Sequence, residues 1–506
     1  MSTPQENYTP DPTTQRRLFW TLLVFGVTLL VLFFVVPNFI DVPLRVSEET
    51  TLITEPFFPG SRRLDYVAVL QQRFGPADPH DNGFRMVVQA LGGEPMERAS
   101  GRTWESICRQ LDLNPSDPPT MPGFYTVSQT ILEQGDSPVD WGKQMVDCAA
   151  NLWSREQYPY MDEYLDEVSP ILNLTAEAVR RESYCLPFVS SEYHGHILLP
   201  CHQCNRELAR RFLVRANRSI RDDKFDAAWQ DVVSAMRLGC WLENDIFVVG
   251  AFVGNSICTL AYSTAERLPE RSELSEERLR QCIEDIKQLP KKSVSAEDMA
   301  MCDQYGALAN VDFYSNAPRS ERKEMYSDLK CDIPDWCDKY LGVNWNLVAR
   351  IVNDYHDQQR EIYRKNLPPA DMQTELYKLE NDFKAKCSSG TVLLVVSRDA
   401  RSRRIALALC DTFHFVPMDK LVKIDQVRRQ FLILAFELEL EKRKNGQYPA
   451  TLDFLSDRYT PEELTDPFSD TPFEYQPNAD GGGFRLFSKG VGFLGEGIGI
   501  EIHSEK

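Results

Sequence analysis

The feature that most constrains this chain is an uninterrupted apolar run near its start, from Leu18 to Val36. The run carries no charge, and Thr21, Gly26 and Thr28 are its only members that are not large and apolar. At about 1.5 Å per residue, a helix of this length crosses most of the roughly 30 Å hydrocarbon core of a bilayer. A backbone in lipid must satisfy its own hydrogen bonds, so the sequence predicts a transmembrane helix over residues 18–36.

The residues on either side favour an uncleaved signal-anchor over a removed signal peptide. The text VVPNFIDVPL at the end of the run offers no pair of small residues at the spacing of a cleavage site. Arg16 and Arg17 immediately precede Leu18, and the positive-inside rule places such residues in the cytoplasm. We therefore expect residues 1–17 to form a short disordered cytoplasmic tail. The bulk of the chain is then expected on the exported side of the cell inner membrane, after this single pass.

The charge balance excludes one class of partner. The chain has 75 Asp and Glu against 56 Lys and Arg, for a net charge of -19. Such a chain lacks the electropositive surface on which nucleic-acid binding depends, so we predict no nucleic-acid partner. The hydrophobic fraction of 42% and the charged fraction of 26% are those of an ordinary folded protein.

Beyond the anchor, the sequence predicts a mainly α-helical protein in three segments. Residues 41–60 are polar, lack helical periodicity and end in turn residues, so we expect an extended tether. Residues 61–422 carry apolar side chains at helical spacing and are predicted to form a helical exported domain. Residues 423–506 have the pattern of one long helix, followed by short segments in which apolar and polar residues alternate as in β-strands. This pattern predicts a small α+β C-terminal module.

The clearest helical text lies between residues 203 and 266 and predicts three consecutive helices. In the second, Phe225, Ala228, Val232 and Ala235 follow the order aromatic–small–large–small, which is similar to a tetratricopeptide hairpin. One copy is recognisable, whereas a solenoid needs about three. The alternative is an ordinary helical hairpin whose small residues allow its neighbours to approach closely.

Among 13 cysteines, Cys201 and Cys204 form a Cys-x-x-Cys motif, close to His194, His196 and His202. Such a motif at a helix N-terminus is the thiol-oxidoreductase arrangement, in which the helix dipole lowers the thiol pKa. The same side chains could form a tetrahedral zinc site, or the cysteines could be structural. The surrounding text is helical rather than βαβ, and no second Cys-x-x-Cys accompanies it. We keep Cys201 and Cys204 as redox candidates and assign no metal.

No other chemical motif stands out. The sequence has no glycine-rich nucleotide loop, no nucleophile elbow and no His-Glu-x-x-His. Acidic residues are so numerous that no carboxylate pair is diagnostic. We predict no catalytic residue, no cofactor and no small-molecule ligand. The expected function is a membrane-anchored envelope scaffold or partner-binding protein. The alternative is an exported enzyme, either a thiol–disulfide oxidoreductase or an unrecognised hydrolase.

Four ordered motifs near the end of the chain resemble the C-terminal half of type II secretion major pseudopilins. They are NGQYP at 445–449, DPF at 466–468, PFEY at 472–475 and FSKG at 487–490. The resemblance implies one helix laid against a small antiparallel sheet, and an envelope or secretion complex as partner.

Two features depart from the pseudopilin pattern. The membrane helix of a pseudopilin runs straight into this module, whereas here residues 41–422 intervene. Gly499 and Glu501 stand where the family has calcium-binding aspartates, and calcium needs six to eight oxygen ligands.

The whole layout also resembles a group of uncharacterised planctomycete single-pass membrane proteins. The shared text is ETTLITEP, LDYVAVL, CNRELARRFLVRA and AAWQDVVSAMRLG, followed by the module with GQYP and DPF. That group has no established activity, so the resemblance implies an architecture and no function.

Overall fold

The computed structural model describes most of the chain, in segments separated by short gaps. The described residues are 12–30, 35–76, 78–94, 102–134, 140–190, 197–198, 200–269, 274–322, 331, 333, 337, 340–365, 367–410, 418–478, 482–491 and 497–502. They contain 17 α-helices and are 65% helical, with a small sheet portion. The mainly helical fold class predicted from the sequence is therefore confirmed.

The chain divides into two compact units, and both are discontinuous in sequence. Unit 1 comprises Met1–Tyr66 and Gln304–Phe415, and unit 2 comprises Val67–Asp303 and Val416–Lys506. This division differs from the predicted boundary at residue 423, because the C-terminal module shares one hydrophobic core with the earlier helices of unit 2. Segments far apart in sequence join there because each has an apolar face that only the other covers.

Unit 2 is a stack of helices with the small sheet module packed against it. The helices α8 to α10 are the three predicted between residues 203 and 266, and α9 packs against both of its neighbours. The helices of this part of the chain are α2 (Tyr66–Phe74), α3 (Gly83–Leu91), α4 (Arg102–Gln110), α5 (Phe124–Gln134), α6 (Trp141–Ala150), α7 (Pro159–Ala178), α8 (Pro200–Arg221), α9 (Phe225–Glu243), α10 (Val248–Ala265), α11 (Glu276–Lys287) and α17 (Met418–Asn445). A short hairpin, β1 (Val189–Ser190) with β2 (Ile197–Leu198), precedes α8.

Helix α10 is, among the described helices, the one long and apolar enough to cross a membrane by length and composition. Its apolar window is 56% buried inside the protein, as expected of a core helix.

Two glycines explain the close packing of α10 on α9. A Cβ atom on Gly254 would lie 2.5 Å from the carbonyl oxygen of Gly239, and one on Gly239 would lie 2.5 Å from the sulfur of Cys258. Small residues therefore fix this helix pair.

The C-terminal module places α17 beneath a small antiparallel sheet. Strands β5 (Glu474–Pro477), β6 (Phe484–Val491) and β7 (Gly497–Ile502) pair in that order, after the two-residue strands β3 (Thr465–Asp466) and β4 (Thr471–Pro472). The predicted pairing of PFEYQ with FRLFS is observed, with Tyr475 opposite Leu486. Gly446 ends α17 with a φ of 77°, as its position after the helix predicts.

Aromatic and hydroxyl contacts hold the sheet on α17. The rings of Phe431 and Phe473 meet edge to face at 4.8 Å, and those of Tyr448 and Phe484 at 5.0 Å. The Tyr448 hydroxyl donates to Glu439 of α17 at 3.0 Å. These contacts give a structural role to the tyrosine of the NGQYP motif and to the phenylalanine of PFEY.

Asp466 of the DPF motif is the polar centre of the module. Its carboxylate is 1% exposed and accepts hydrogen bonds from the backbone amides of Phe468 at 3.0 Å and Lys489 at 2.7 Å. The hydroxyls of Ser469 and Ser488 donate to it at 3.1 and 2.9 Å. One buried carboxylate thus joins the DPF turn to the FSKG strand, which gives the two separate motifs a common physical cause.

Gly499 and Glu501 both lie in β7, where they pair with Phe487 and Arg485 of β6. The segment that would correspond to a pseudopilin calcium loop is, at these two positions, a regular strand of the sheet.

The core of unit 1 lies between the second half of one long helix and the four helices that follow it along the chain. Trp345, Val348 and Val352 of one helix face Ile405 and Ala406 of another in that core. Its helices are α1 (Pro12–Leu30), α12 (Ala296–Asn316, which crosses the unit boundary), α13 (Trp345–Arg364), α14 (Pro369–Cys387), α15 (Thr391–Val396) and α16 (Arg398–Cys410). Asn344 caps α13 by accepting a hydrogen bond from the amide of Leu347 at 3.2 Å.

Residues 41–60, predicted to form an extended tether, contain no helix, and their first half contacts other residues of unit 1. Thr50 and Thr51 are buried, and Val42 forms a parallel bridge with Asn344. Short patches of backbone pairing and side-chain capping hold this segment on unit 1, and periodicity does not report such contacts.

Substituting Asp466 tests the polar centre of the module. We expect Asp466→Ala to lower the free energy of unfolding by about 3 kcal/mol, because two backbone amides and two hydroxyl groups lose their shared buried acceptor. Urea denaturation of the full chain measures it. The exposed Asp457→Ala is the control and should change stability by less than about 0.5 kcal/mol. Equal effects from the two substitutions would contradict the role given to Asp466.

Candidate functional site

The structure places the redox candidates Cys201 and Cys204 in the first turn of α8, as the motif predicts. Both are buried, at 1% and 0% exposure. Burial raises the pKa of Cys204 to about 12 and that of Cys201 well above its ordinary value. A nucleophilic thiol needs the opposite shift, so the lowered pKa expected from the helix dipole is not found. The redox assignment stays a prediction without support from this geometry.

The zinc alternative for the same segment is not assembled by the residues the structure describes. His202 is buried, and its Nε2 atom pairs with the carboxylate of Asp245. His194 and His196 lie outside the described residues. The nearest partner of His202 is thus a carboxylate at the start of the α9–α10 connection rather than a cysteine.

The predicted anchor flanks lie on α1 and at the start of the next segment. Arg16, Arg17 and Leu18 are exposed on α1, and Val36 begins a short 3-10 helix over Val36–Phe39. Residues 31–34 of the apolar run lie outside the described residues.

The segment Val35–Leu52 covers the end of the predicted anchor and the residues after it, and is here called the juxtamembrane segment after that prediction. Backbone hydrogen bonds bind it to later residues of unit 1. The amide of Gly342 donates to the carbonyl oxygen of Asn38 at 2.7 Å. The amide of Val42 donates to Val343 at 2.8 Å, and the amide of Trp345 donates back to Val42 at 3.1 Å. The segment therefore pairs with the strand-like residues just before α13.

Arg401 of α16 is the centre of this binding site. Its side chain is 1% exposed, and its guanidinium donates to the carbonyl oxygens of Asn38 at 3.0 Å, Gly342 at 3.0 Å and Leu394 at 2.7 Å. A planar guanidinium presents five donors in a fixed fork, which suits several fixed acceptors at once. One side chain thus joins the juxtamembrane segment, the residues before α13 and the helix α15.

A second group of charged residues holds the same segment at Asp41, three residues after Asn38. Asp41 accepts from Arg319 at 3.0 Å, from Arg322 at 3.1 Å and from the backbone amide of Val343 at 2.9 Å. Arg398 donates to the carbonyl oxygen of Pro37 at 3.0 Å. The residues that follow the predicted anchor are therefore fixed by one carboxylate of their own and by guanidinium groups of residues much later in the chain.

Gly342 is required by the closeness of this contact. A Cβ atom at this position would lie 2.2 Å from the carbonyl oxygen of Ile40, which is backbone and has no freedom to move aside. The site thus depends on one glycine, one buried arginine and one acidic residue that are far apart in sequence.

Unit 2 contains a separate buried polar group between α9, α10 and α17, here called the α9–α10–α17 cluster and formed by Cys240, Glu243, Cys258, Asp425 and Arg429. The sulfur atoms of Cys240 and Cys258 are 3.9 Å apart. Arg429 donates to the Cys240 sulfur at 3.0 Å and to the Asp425 carboxylate at 2.6 Å. The cluster connects the C-terminal helix to the central hairpin.

Two thiols and a carboxylate, with ligand atoms within 4.8 Å of one another, form the donor set of a metal site at Cys240, Glu243 and Cys258. A structural zinc site has four ligands in tetrahedral geometry. Here Arg429 places a cation against one of the sulfurs and Lys292 adds a second positive charge near Glu243. The protein's own cations therefore occupy the electrostatic role that a metal would have.

Glu243 is the titratable group of interest in this cluster. Burial, and secondarily the nearby charge of Asp425, raise its pKa from 4.5 to about 8. Its side chain receives one long hydrogen bond, from Asn255 at 3.5 Å. Near neutral pH the carboxyl group is therefore protonated in the folded protein, whereas it is ionised in the unfolded chain.

Sequence reasoning missed both sites. A buried arginine that donates to carbonyl oxygens has no local signature. Cys240 and Cys258 have apolar neighbours in the sequence, as small core residues do, and nothing in that pattern indicates the charged groups beside them in the fold.

Removing the guanidinium of Arg401 tests the juxtamembrane site. We expect Arg401→Met to lower the free energy of unfolding by about 3 kcal/mol, because several carbonyl oxygens lose a charged donor. Hydrogen exchange should accelerate at the amides of Gly342 and Val42. The exposed Arg403→Met is the matched control on the same helix and should leave both amides protected. Unchanged exchange in Arg401→Met would show that the segment is held without this residue.

The pKa of Glu243 predicts a pH dependence of stability. The unfolded chain releases this proton near pH 4.5 and the folded protein near pH 8, so stability falls as pH rises between these values. The slope from this group approaches about 1.4 kcal/mol per pH unit. We expect Glu243→Gln to gain stability relative to the wild type between about pH 5 and about pH 8, measured by urea denaturation. Glu284→Gln, exposed on α11, is the control; a parallel gain there would refute the assignment.

The juxtamembrane site positions backbone and carries no reactive group at its centre. Its acceptors are peptide carbonyls and one carboxylate, and its donors are arginines. Such an arrangement fixes one segment on another.

In comparisons with known proteins, no family model, no curated protein and no solved structure gives a significant match to this chain.

Proposed function

We propose that this protein is a single-pass, membrane-anchored envelope scaffold that holds a helical domain at the exported face of the inner membrane for binding a protein partner. The observation that carries the proposal is the apolar surface of α1. Leu18, Phe19 and Leu22 are exposed by 60%, 62% and 60%. Burying such a side chain is worth about 1.5–3 kcal/mol, so a whole helix of them calls for a lipid environment.

The juxtamembrane site supports the same proposal. A flexible tether would let the exported domain move away from the bilayer. Here the residues directly after the anchor are fixed on unit 1 through Arg401 and Asp41. The domain that follows is then held close to the membrane.

The state of the two groups that could carry out chemistry supports a binding role rather than a catalytic one. The Cys-x-x-Cys pair is buried, and the α9–α10–α17 cluster compensates its own charges. A surface groove of about 510 Å³ beside the start of α9 is lined mostly by polar residues, together with Phe225 and Leu274, and there Arg278 pairs with Asp226 at 2.6 Å. The tetratricopeptide-like order in α9 and the pseudopilin-like module are both features of interaction proteins, and we propose an envelope or secretion complex as the partner.

Protease accessibility tests the anchor and its orientation. In spheroplasts we expect added protease to digest the domain while a tag before Arg16 stays protected, because Arg16 and Arg17 retain the N-terminus in the cytoplasm. Alkaline carbonate should leave the chain in the membrane pellet. Substituting Leu22→Asp and Val27→Asp should release it, since charges near the centre of a span are expensive. A wild-type chain that is extracted by carbonate would refute the anchor.

Site-specific cross-linking tests the scaffold. Photo-reactive residues at Val249 and Leu260, which are exposed by 45% and 50% on α10, should capture the same envelope protein from native membranes. The polar, exposed position Arg221 is the control. Reproducible recovery of one envelope or secretion component supports the scaffold. Recovery of nothing above the control at either position would count against it.

A further inference from the structure

The short helix α15 is unusual because it is apolar on its outer as well as its inner face. Its sequence, TVLLVV, contains no charge. Leu394 is buried in the core of unit 1, whereas Val392, Leu393 and Val396 are exposed by 74%, 53% and 55%. Three large apolar side chains in two turns are therefore left in water by the folded domain.

Other exposed apolar residues belong to the same region of unit 1. Phe39 and Ile40 of the juxtamembrane segment are exposed by 49% and 54%. Hydrogen bonds fix their position relative to α15, since the side-chain amide of Asn38 donates to the carbonyl oxygen of Val396. Arg398, just after α15, donates to the carbonyl oxygens of Pro37 at 3.0 Å and Ile40 at 3.2 Å. The exposed side chains of Phe39, Ile40, Val392, Leu393 and Val396 are here called the α15 patch.

The place of this patch along the chain indicates what covers it. Asn38 comes two positions after Val36, the last residue of the predicted span. A residue so close to the end of a membrane helix lies at the bilayer surface, and Asn38 touches α15 directly. The surface nearest to the α15 patch is therefore the membrane that holds the anchor.

We infer that α15, together with Phe39 and Ile40, inserts its exposed apolar side chains into the interface of the bilayer that carries the anchor. This inference rests on the proposed membrane anchor. Interfacial helices bury an apolar face about 5–10 Å into the boundary between headgroups and acyl chains. Arg403 of α16 is exposed, and its positive charge would be attracted to anionic headgroups. Asp399 is also exposed, and its negative charge would be repelled by them.

The consequence is a domain with a fixed orientation. The anchor alone leaves unit 1 free to rotate about one point of attachment. A second contact through α15, rigidly joined to the first by Arg401 and Asn38, removes that freedom. Unit 1 then presents a defined face to the aqueous side of the membrane.

Fluorescence quenching in proteoliposomes tests the inference on the full chain. A small environment-sensitive fluorescent amino acid is placed separately at Val392, at Leu22 of α1 and at Tyr377, which is 67% exposed on α14 of the same unit. The vesicles contain phosphatidylethanolamine and phosphatidylglycerol, with or without a lipid that carries a nitroxide quencher near its headgroup. We expect quenching at Val392 to exceed that at Tyr377 by about twofold or more, because only the former is inserted.

The label at Leu22 separates the two proposals, and for it the nitroxide is placed along the acyl chain. Quenching at Leu22 together with a Val392 signal equal to that of Tyr377 overturns the α15 contact and leaves the anchor intact. A Leu22 label that is not quenched refutes the anchor, and the α15 contact with it. Self-quenching or self-cross-linking at Val392 without a lipid effect would assign the patch to a second copy of the chain and overturn the inference.

A second substitution guards against misfolding and non-specific adsorption. Leu393→Glu, combined with the label at Val392, should reduce quenching to the level of Tyr377, since a carboxylate is unfavourable at the interface. Leu393 is exposed, so this variant should unfold at the same temperature as the labelled parent. Quenching that persists in a folded Leu393→Glu variant would contradict insertion of α15.

Discussion

The arrangement of unit 1 depends on one buried guanidinium. Arg401 is almost inaccessible to solvent, and carbonyl oxygens from three separate stretches of chain surround it. Burying a charge is costly unless its donors are satisfied, and peptide carbonyls with their partial negative charges provide that compensation. A lysine at this position would offer one compact centre in place of a planar fork, so it could not reach all three stretches with the same geometry. The chemistry of the residue thus determines which segments meet.

This interaction fixes the residues that follow the predicted anchor on later residues of unit 1. The residues after the proposed span are paired with the residues before α13 and are fixed further by Asp41 between Arg319 and Arg322. Gly342 allows the two backbones to approach, because any side chain there would collide with the carbonyl of Ile40. In the proposed membrane-bound scaffold, such a connection would keep the binding surface in one orientation towards its partners.

Unit 2 uses buried polar groups in a similar way. Arg429 connects Asp425 on its own helix with the thiol of Cys240 on another, and Asp466 joins the DPF turn to strand β6. In each case a charged group satisfies donors or acceptors from segments that are distant in sequence. Hydrophobic burial brings the helices together without much directional preference, whereas these contacts favour one register. The hydrophobic core itself joins the last part of the chain to helices that begin before residue 100.

The sequence alone determined the local structure of this protein. Periodicity located α8, α9 and α10, the order of apolar and turn residues located the β5–β6 pair, and Gly446 marked the end of α17. These features depend on neighbours within a few residues, so pattern reports them. Tertiary structure decided what lies between distant segments. It bound the supposed tether to unit 1, placed the C-terminal module in the core of unit 2, buried Cys201 and raised the pKa of Glu243. Burial and partner charge depend on which segments meet in space, and no local pattern in the chain encodes Arg401 beside Asn38.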